Sequence, residues 1–287
     1  MNWLSKYLPK IVLAPSFAAI IWFVYAFIGW TVYISFTNSK ILPVYEFYGV
    51  INYFKLWSMP RWYVAIENLF IFSVLFLIIC LVLGILLAIM LDQKIRMEGA
   101  LKTIYLYPMA LSFIVTGTVW KWMLNPTMGI EKLFQDWGFA NFTFDWLTTP
   151  GLSIYCVVIA GVWQSSGFVM ALFLAGLRSI DDQIIKAAKI DGAGIFNIYG
   201  KIILPMMKPV FFSAIVILIH ISIKSYDLVV ALTAGGPGIS SDMPAVFMTA
   251  HAFHRSQIGI ASTSAVMMVM AVLAIVVPYL YSELRKH

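Results

Sequence analysis

The chain has 287 residues, of which 62% are hydrophobic and 11% charged, with a mean hydropathy of +0.90. Soluble domains carry about a quarter charged residues, so an ordinary water-soluble enzyme is excluded and an all-α polytopic membrane protein is expected. The net charge of +6 is spread over short loops, which reads as membrane topology and not as a nucleic-acid surface.

A helix needs about 20 apolar residues to cross the hydrocarbon. Six runs reach that length: 11–36, 69–91, 103–124, 152–177, 209–232 and 260–282. The first is too long for the apolar core of a signal peptide and is read as a span. The outer loop after it, about 37–68, has room for a short helix along the membrane surface. Residues 1–68 are therefore set apart as a peripheral span and loop, 69–282 as the membrane core and 283–287 as a tail.

An even number of spans puts both termini on one side. With termini inside, the inner segments hold twelve basic residues: Lys6, Lys10, Lys94, Arg96, Lys102, Arg178, Lys186, Lys189, Lys201, Lys208, Arg285 and Lys286. The outer loops hold five: Lys40, Lys55, Arg61, Lys132 and Arg255. The excess predicts cytoplasmic termini. Trp57, Trp62, Trp137 and Trp146 read as interfacial aromatics. Cys80 and Cys156 lie in apolar runs and read as small hydrophobes.

Polar residues inside spans call for an account, because charge in lipid is costly and usually faces a cavity. Span 3 carries Trp120-Lys121-Trp122, and span 4 carries Trp163-Gln164-Ser165-Ser166. Span 5 carries His220, Lys224, Tyr226 and Asp227, with Lys224 and Asp227 spaced to pair on one helix face. Two readings stand open. In the structural one Lys121 snorkels, Lys224 pairs with Asp227 and Gln164 bonds a neighbouring helix. In the functional one Lys121, Trp163, Gln164, Ser166, His220, Lys224, Tyr226 and Asp227 line a polar cavity with aromatic walls. Such a cavity suits a sugar, whose C–H faces stack while its hydroxyls hydrogen-bond.

Between spans 4 and 5 lies a polar island, Ile184 to Pro209. Ser179-Ile180-Asp181-Asp182 fits a capping box. Ile184, Ile185, Ala188 and Ile190 are expected on one apolar side, and Asp191-Gly192 is expected to break the helix. A second short helix, Ile195 to Ile203, should run into Pro205 and Pro209. This unit must lie back on its own chain or dock on a partner. Asp181 and Asp182 read as helix-capping residues and not as a catalytic pair.

No G-x-x-x-x-G-K-[ST] phosphate loop occurs, so ATP is not expected on this chain. Gly235-Gly236-Pro237-Gly238 lacks its lysine and reads as a turn. His251 and His254 read as part of a polar loop helix; no metal site and no catalytic residue are expected.

Lys186-Ala187-Ala188-Lys189-Ile190-Asp191-Gly192-Ala193, followed by Tyr199, Ile202 and Leu204-Pro205, resembles the EAA loop of the membrane subunits of binding-protein-dependent ABC importers. The family pattern is roughly E-A-A-x-x-D-G-A, a spacer, an aromatic, then I-x-L-P; Lys186 departs from its glutamate. Glu67-Asn68, Leu106-Tyr107-Pro108, Tyr226-Asp227-Leu228 and Leu232-Thr233-Ala234-Gly235-Gly236-Pro237 are similar to the carbohydrate branch, which includes maltose, glycerol-phosphate and hexose importers. The resemblance implies a type I importer permease with six transmembrane helices in a bacterial or archaeal inner membrane. It also implies a coupling loop in which Asp182, Ile185, Lys186, Ala187, Ala188, Asp191, Gly192, Ala193, Tyr199, Leu204 and Pro205 meet a cytoplasmic ATPase. ATP and Mg would sit on two ATPase subunits. The other implied partners are a second, different permease and an extracytoplasmic solute-binding protein that delivers sugar. One alternative is an anionic cargo such as a glycerol phosphate, served by Lys121 and Lys224. A stand-alone secondary transporter is a further alternative, disfavoured because the sequence shows neither internal repeats nor broken midspan helices.

Overall fold

The computed structural model describes residues 2–93 and 97–284. Lys94, Arg96, Arg285 and Lys286, which enter the charge count, lie outside the described residues. Helix runs from Asn2 to Ser35 (α1), with a wider turn over Ile21–Ala26. A short helix, Ile51–Ser58 (α2), follows as expected, and Pro60–Asp92 (α3) starts nine residues ahead of the predicted span 2 because the apolar pattern extends back through Trp62 and Ala65.

Span 3 is not the single helix expected. Glu98–Leu106 (α4) tightens into a 3-10 turn, Tyr107–Ala110, and after Leu111-Ser112 restarts as Phe113–Met123 (α5). The two arms are bent by 100°. Pro108 lacks a backbone donor, and Leu111 and Ser112 are extended, with φ/ψ of −80/147 and −70/153. The expectation that no helix is broken midspan is thereby corrected. Ile130–Asp136 (α6) lies in the loop before Ser153–Arg178 (α7).

The island forms Asp182–Ile190 (α8) and a second helical stretch (α9). α9 comprises Ile195–Asn197, a wide turn over Ile198–Ile203, and Leu204–Met206. It therefore passes through Pro205 instead of stopping before it. The wide turn, in which Leu204 N–H bonds Tyr199 O, loosens the helix where a proline ring would otherwise crowd the preceding carbonyls. Lys208–Ile223 (α10) then leaves at 64° to it. Asp227–Leu232 (α11), Pro244–Thr249 with a wide turn to His254 (α12), and Ile258–Leu284 (α13) complete the chain. Among the described residues four helices are long and apolar enough to cross a membrane, or six if each bent pair is counted as one span. No strand occurs among the described residues apart from one isolated bridge, Thr37 to Phe47.

The chain divides into two compact units. One comprises residues up to Trp62 together with Phe247–Ala271. Its interior is pinned by buried Asn52, whose amide donates to Ser35 O at 2.9 Å and Thr37 O at 2.7 Å. Gly259 permits close approach there, since a Cβ would stand 2.6 Å from Thr37 O. Beyond that clamp residues 12–30 of α1 are all exposed, Trp22 and Phe23 among them. Such a surface needs a bilayer or another subunit.

The other unit, Tyr63–Val246 with residues from Val272 onward, is built around α7. Two thirds of the α7 hydrophobic window is buried, against 28% for α3. Small residues let its neighbours approach. A Cβ at Gly167 would lie 1.8 Å from Tyr105 O, and one at Gly176 would meet Val210 at 3.0 Å.

Candidate functional site

The 178–208 segment begins where α7 ends. Ser179 Oγ donates to Gly176 O at 2.7 Å and its backbone is still helical, so it closes α7 and does not open the next helix. The cap of α8 is Asp181: its backbone is extended and its Oδ1 accepts from Gln183 N at 2.9 Å. This corrects the capping-box assignment, because a cap needs the extended backbone that Ser179 lacks. At the far end Gly192 N donates to Lys189 O and Ala193 N to Ala188 O, the two bonds of a Schellman stop. Gly192 supplies the left-handed backbone this requires, with φ of +78.

The apolar residues of α8 do not share one side. Ala188 is buried and Ile185 half-buried, packed with Ala193, Tyr199 and Ile202 on the core of their own unit. Ile190 falls on the opposite face, as the helical angle requires, and is 86% exposed. In the next helical stretch Phe196 is 90% exposed, with Ile195 at 55%. Asp182, Lys186, Ala187 and Asp191 are exposed, Leu204 is half-buried and Pro205 exposed.

Behind this segment lies a cluster that the sequence reading did not identify. Arg178 Nη2 bonds Glu98 Oε1 at 2.6 Å, its Nε lies 3.5 Å from Asp92 Oδ1, and Lys102 also pairs with Glu98. The ends of α3, α4 and α7 are thus tied by charge. A topology count uses Lys and Arg alone and passes over Asp92 and Glu98, whose positions at span ends were the available signal.

The intramembrane polar residues fall into separate places. α10 ends at Ile223; Lys224 caps it, with its N–H on His220 O, and Asp227 opens α11. Lys224 and Asp227 are therefore not one turn apart on one helix, and no ion pair joins them. Instead both line a cavity of about 250 Å³ with His220, Tyr226 and Phe113, at the breaks of spans 3 and 5. The half-helices beyond the breaks pack closely: a Cβ at Gly117 of α5 would stand 2.7 Å from Ala231 Cβ and 3.0 Å from Leu228 O of α11.

Trp163 and Ser166 line a different hollow, of about 520 Å³, with Trp120 and aliphatic side chains of α3. The Trp120 and Trp163 rings meet edge-on, with centroids 5.9 Å apart. Gln164 lines neither. It is buried, and its Nε2 donates to Leu111 O at 2.7 Å, which agrees with the neighbour-helix reading. Its Oε1 is buried without a partner, at a cost of about 1–3 kcal/mol. Lys121 is exposed on α5 and lines neither hollow. The single expected cavity is thus two, and the two lysines do not converge.

Gly235-Gly236-Pro237 forms the expected turn, with Gly235 at φ +84 and Ser241 Oγ 2.8 Å from Gly236 O. Asn68 donates to Ser240 O and Asp242 O, both at 2.9 Å, which gives the Glu67-Asn68 motif a physical role in holding this turn. In the smaller unit His251 is buried with Nδ1 2.9 Å from Phe247 O, and among the described residues no group of three or more candidate ligands could hold a metal.

The family described as "Binding-protein-dependent transport system inner membrane component" matches residues 80–285. A probable ABC transporter permease protein of Pyrococcus horikoshii is 38% identical, over 96% of each chain. The xylose/arabinose import permease protein XacH of Haloferax volcanii is 36% identical, over 92% of this chain and 84% of its own. In fold, the chain is similar to a bacterial ABC transporter involved in import of the acidic polysaccharide alginate. The TM-score is 0.84 at 20% identity, covering 98% of this chain and 97% of that one.

Proposed function

The chain belongs to the family of inner-membrane components of binding-protein-dependent transport systems, and on that premise we propose that it forms part of a carbohydrate translocation pathway driven by an ATPase seated on residues 178–208. The observation that carries the coupling half is that Ile190, Ile195 and Phe196 stand exposed on a segment whose Ile185, Ala188, Tyr199 and Ile202 pack on the core of its own unit. A polar-flanked apolar patch of this kind fits a partner's groove. Lys186 and Lys189 flank it, so the groove should present acidic or carbonyl groups where the usual pattern places a glutamate on this side.

The carbohydrate half is supported by the named cargo of the xylose/arabinose relative and by the cavity. Tyr226 and Phe113 offer flat faces, and His220, Lys224 and Asp227 offer donors and acceptors for hydroxyls. Lys224 and Asp227 together contribute no net charge there, which suits a neutral sugar better than a phosphate. The termini and the 178–208 segment lie on the cytoplasmic side in this reading, and a second permease completes the pathway. A solute-binding protein delivers the sugar from the other side. The chain acts as wall and lever; ATP and Mg belong to the ATPase.

The test is sugar uptake in cells with Lys224→Ala and Asp227→Ala in the chromosomal copy. Reduced uptake with the complex still assembled is expected. Unchanged uptake in both would remove the cavity from the pathway.

A further inference from the structure

The hydrogen bond from Gln164 sits at a junction that its neighbours on α7 define. Gln164 is 4% exposed and its Nε2 donates to Leu111 O at 2.7 Å. One turn further along α7, Gly167 brings the backbone against Tyr105 O, which a Cβ would approach to 1.8 Å. The same side of α7 therefore holds both edges of the 3-10 turn Tyr107–Ala110. Gly167 admits the incoming strand of backbone and Gln164 ties down the outgoing one. Ser112, next to Leu111, caps α5 by accepting from Val115 N at 3.3 Å. Phe113 is the first residue of α5 and stands in the wall of the cavity with Lys224 and Asp227. At its other end α7 runs through Ser179 to Asp181, the cap of α8.

We propose that Gln164 is a positioning residue: acting through Leu111, it fixes where Phe113 stands in the cavity, so that displacement of α7 reaches the cavity wall without Gln164 touching cargo. The transport consequence rests on reading the cavity as part of the pathway; the positioning itself does not. The amide is held for its N–H.

The test uses the full chain in membranes with its native partners, in a Cys80→Ala, Cys156→Ala background. Phe113→Cys reports the wall on α5, and Ile221→Cys reports the facing wall on α10. Each is labelled with methanethiosulfonate ethylammonium. Gln164→Met, which keeps length and loses the donor, should change the Phe113→Cys labelling rate by about three- to tenfold, the scale of one hydrogen bond, and leave Ile221→Cys unmoved. Gln164→Glu, normalised to the Ile221→Cys rate at each pH, should give the parent rate in acid, where the carboxylic acid can donate to Leu111 O. It should approach the methionine rate in alkali, where a carboxylate faces that oxygen. Equal ratios in parent and both variants overturn the proposal. If Gln164→Met fails to fold, the pH titration of Gln164→Glu on one preparation decides alone. Loss of the uptake effect of Lys224→Ala and Asp227→Ala would remove the cavity reading and leave the labelling result standing. An intact uptake effect with unmoved labelling would remove Gln164 instead.

Discussion

Two polar regions of the larger unit dispose of their apolar residues in opposite ways. In the 178–208 segment the charged side chains lie exposed, and Ile190 and Phe196 point away from the chain. At the breaks of spans 3 and 5 the apolar side chains of α5 and α11 close on one another, while Lys224 and Asp227 turn to a small cavity. The first arrangement leaves hydrophobic burial undone and waits for a protein surface. The second sets α5 against α11 at Gly117 and leaves polar groups facing the cavity, which suits a small hydroxylated solute. In the proposed reading one chain carries a macromolecular interface and a solute contact.

The comparison breaks most readily at the exposed patch. Ile190→Asp with Phe196→Asp should leave the chain folded and in the membrane, because neither side chain is packed. Retention of the ATPase during purification should fall at least about tenfold, the effect of losing roughly 1.4 kcal/mol or more of contact. A smaller but related loss is expected for Gly192→Val. The left-handed backbone at φ +78 costs a non-glycine residue about 1–2 kcal/mol, more when β-branched. α8 would then stop in the wrong place, and ATP hydrolysis should decouple from uptake while the membrane core keeps its thermal stability.

At the cavity the opposite pattern is expected. Lys224→Ala or Asp227→Ala should retain the ATPase and lower uptake several-fold, on the scale of one or two hydrogen bonds to cargo, about 0.5–1.5 kcal/mol each. The smallest effect belongs to Glu98→Gln. It removes the charge shared by Arg178 and Lys102, and because these side chains are partly exposed and solvent-screened the change in unfolding temperature should be small. It should vanish at about 1 M salt, where the screening length is roughly 3 Å.

Much of this was legible in sequence where the signal is local. Asp191-Gly192 names a helix stop because only a few residue types tolerate the required backbone, and the structure forms that stop at that place. Four of the six apolar runs appear as unbroken helix, and the runs 103–124 and 209–232 as helix interrupted at Leu111-Ser112 and at 224–226. What stayed hidden depends on contacts distant in sequence. The break at Leu111-Ser112 lies inside an apolar run and is held from α7, fifty-three residues away, by Gln164. The structural reading of Lys224 and Asp227 as a pair needs one helix through both, and the helix ends at Ile223, while the cavity reading does not. Ile190 shares the apolar character of Ile185 and Ala188 but not their helical angle, which turns it to the exposed face. The Arg178 cluster brings together residues 92, 98 and 178, which no local pattern relates.

The central claim is that residues 178–208 seat an ATPase. A photoreactive benzophenone amino acid in place of Phe196, irradiated in native membranes, tests it directly. A single dominant protein adduct is expected, its cross-linked partner carrying a nucleotide-binding phosphate loop, with the adduct weakened when Gly192→Val is added. Adducts to lipid alone, or to a protein without such a loop, would contradict it.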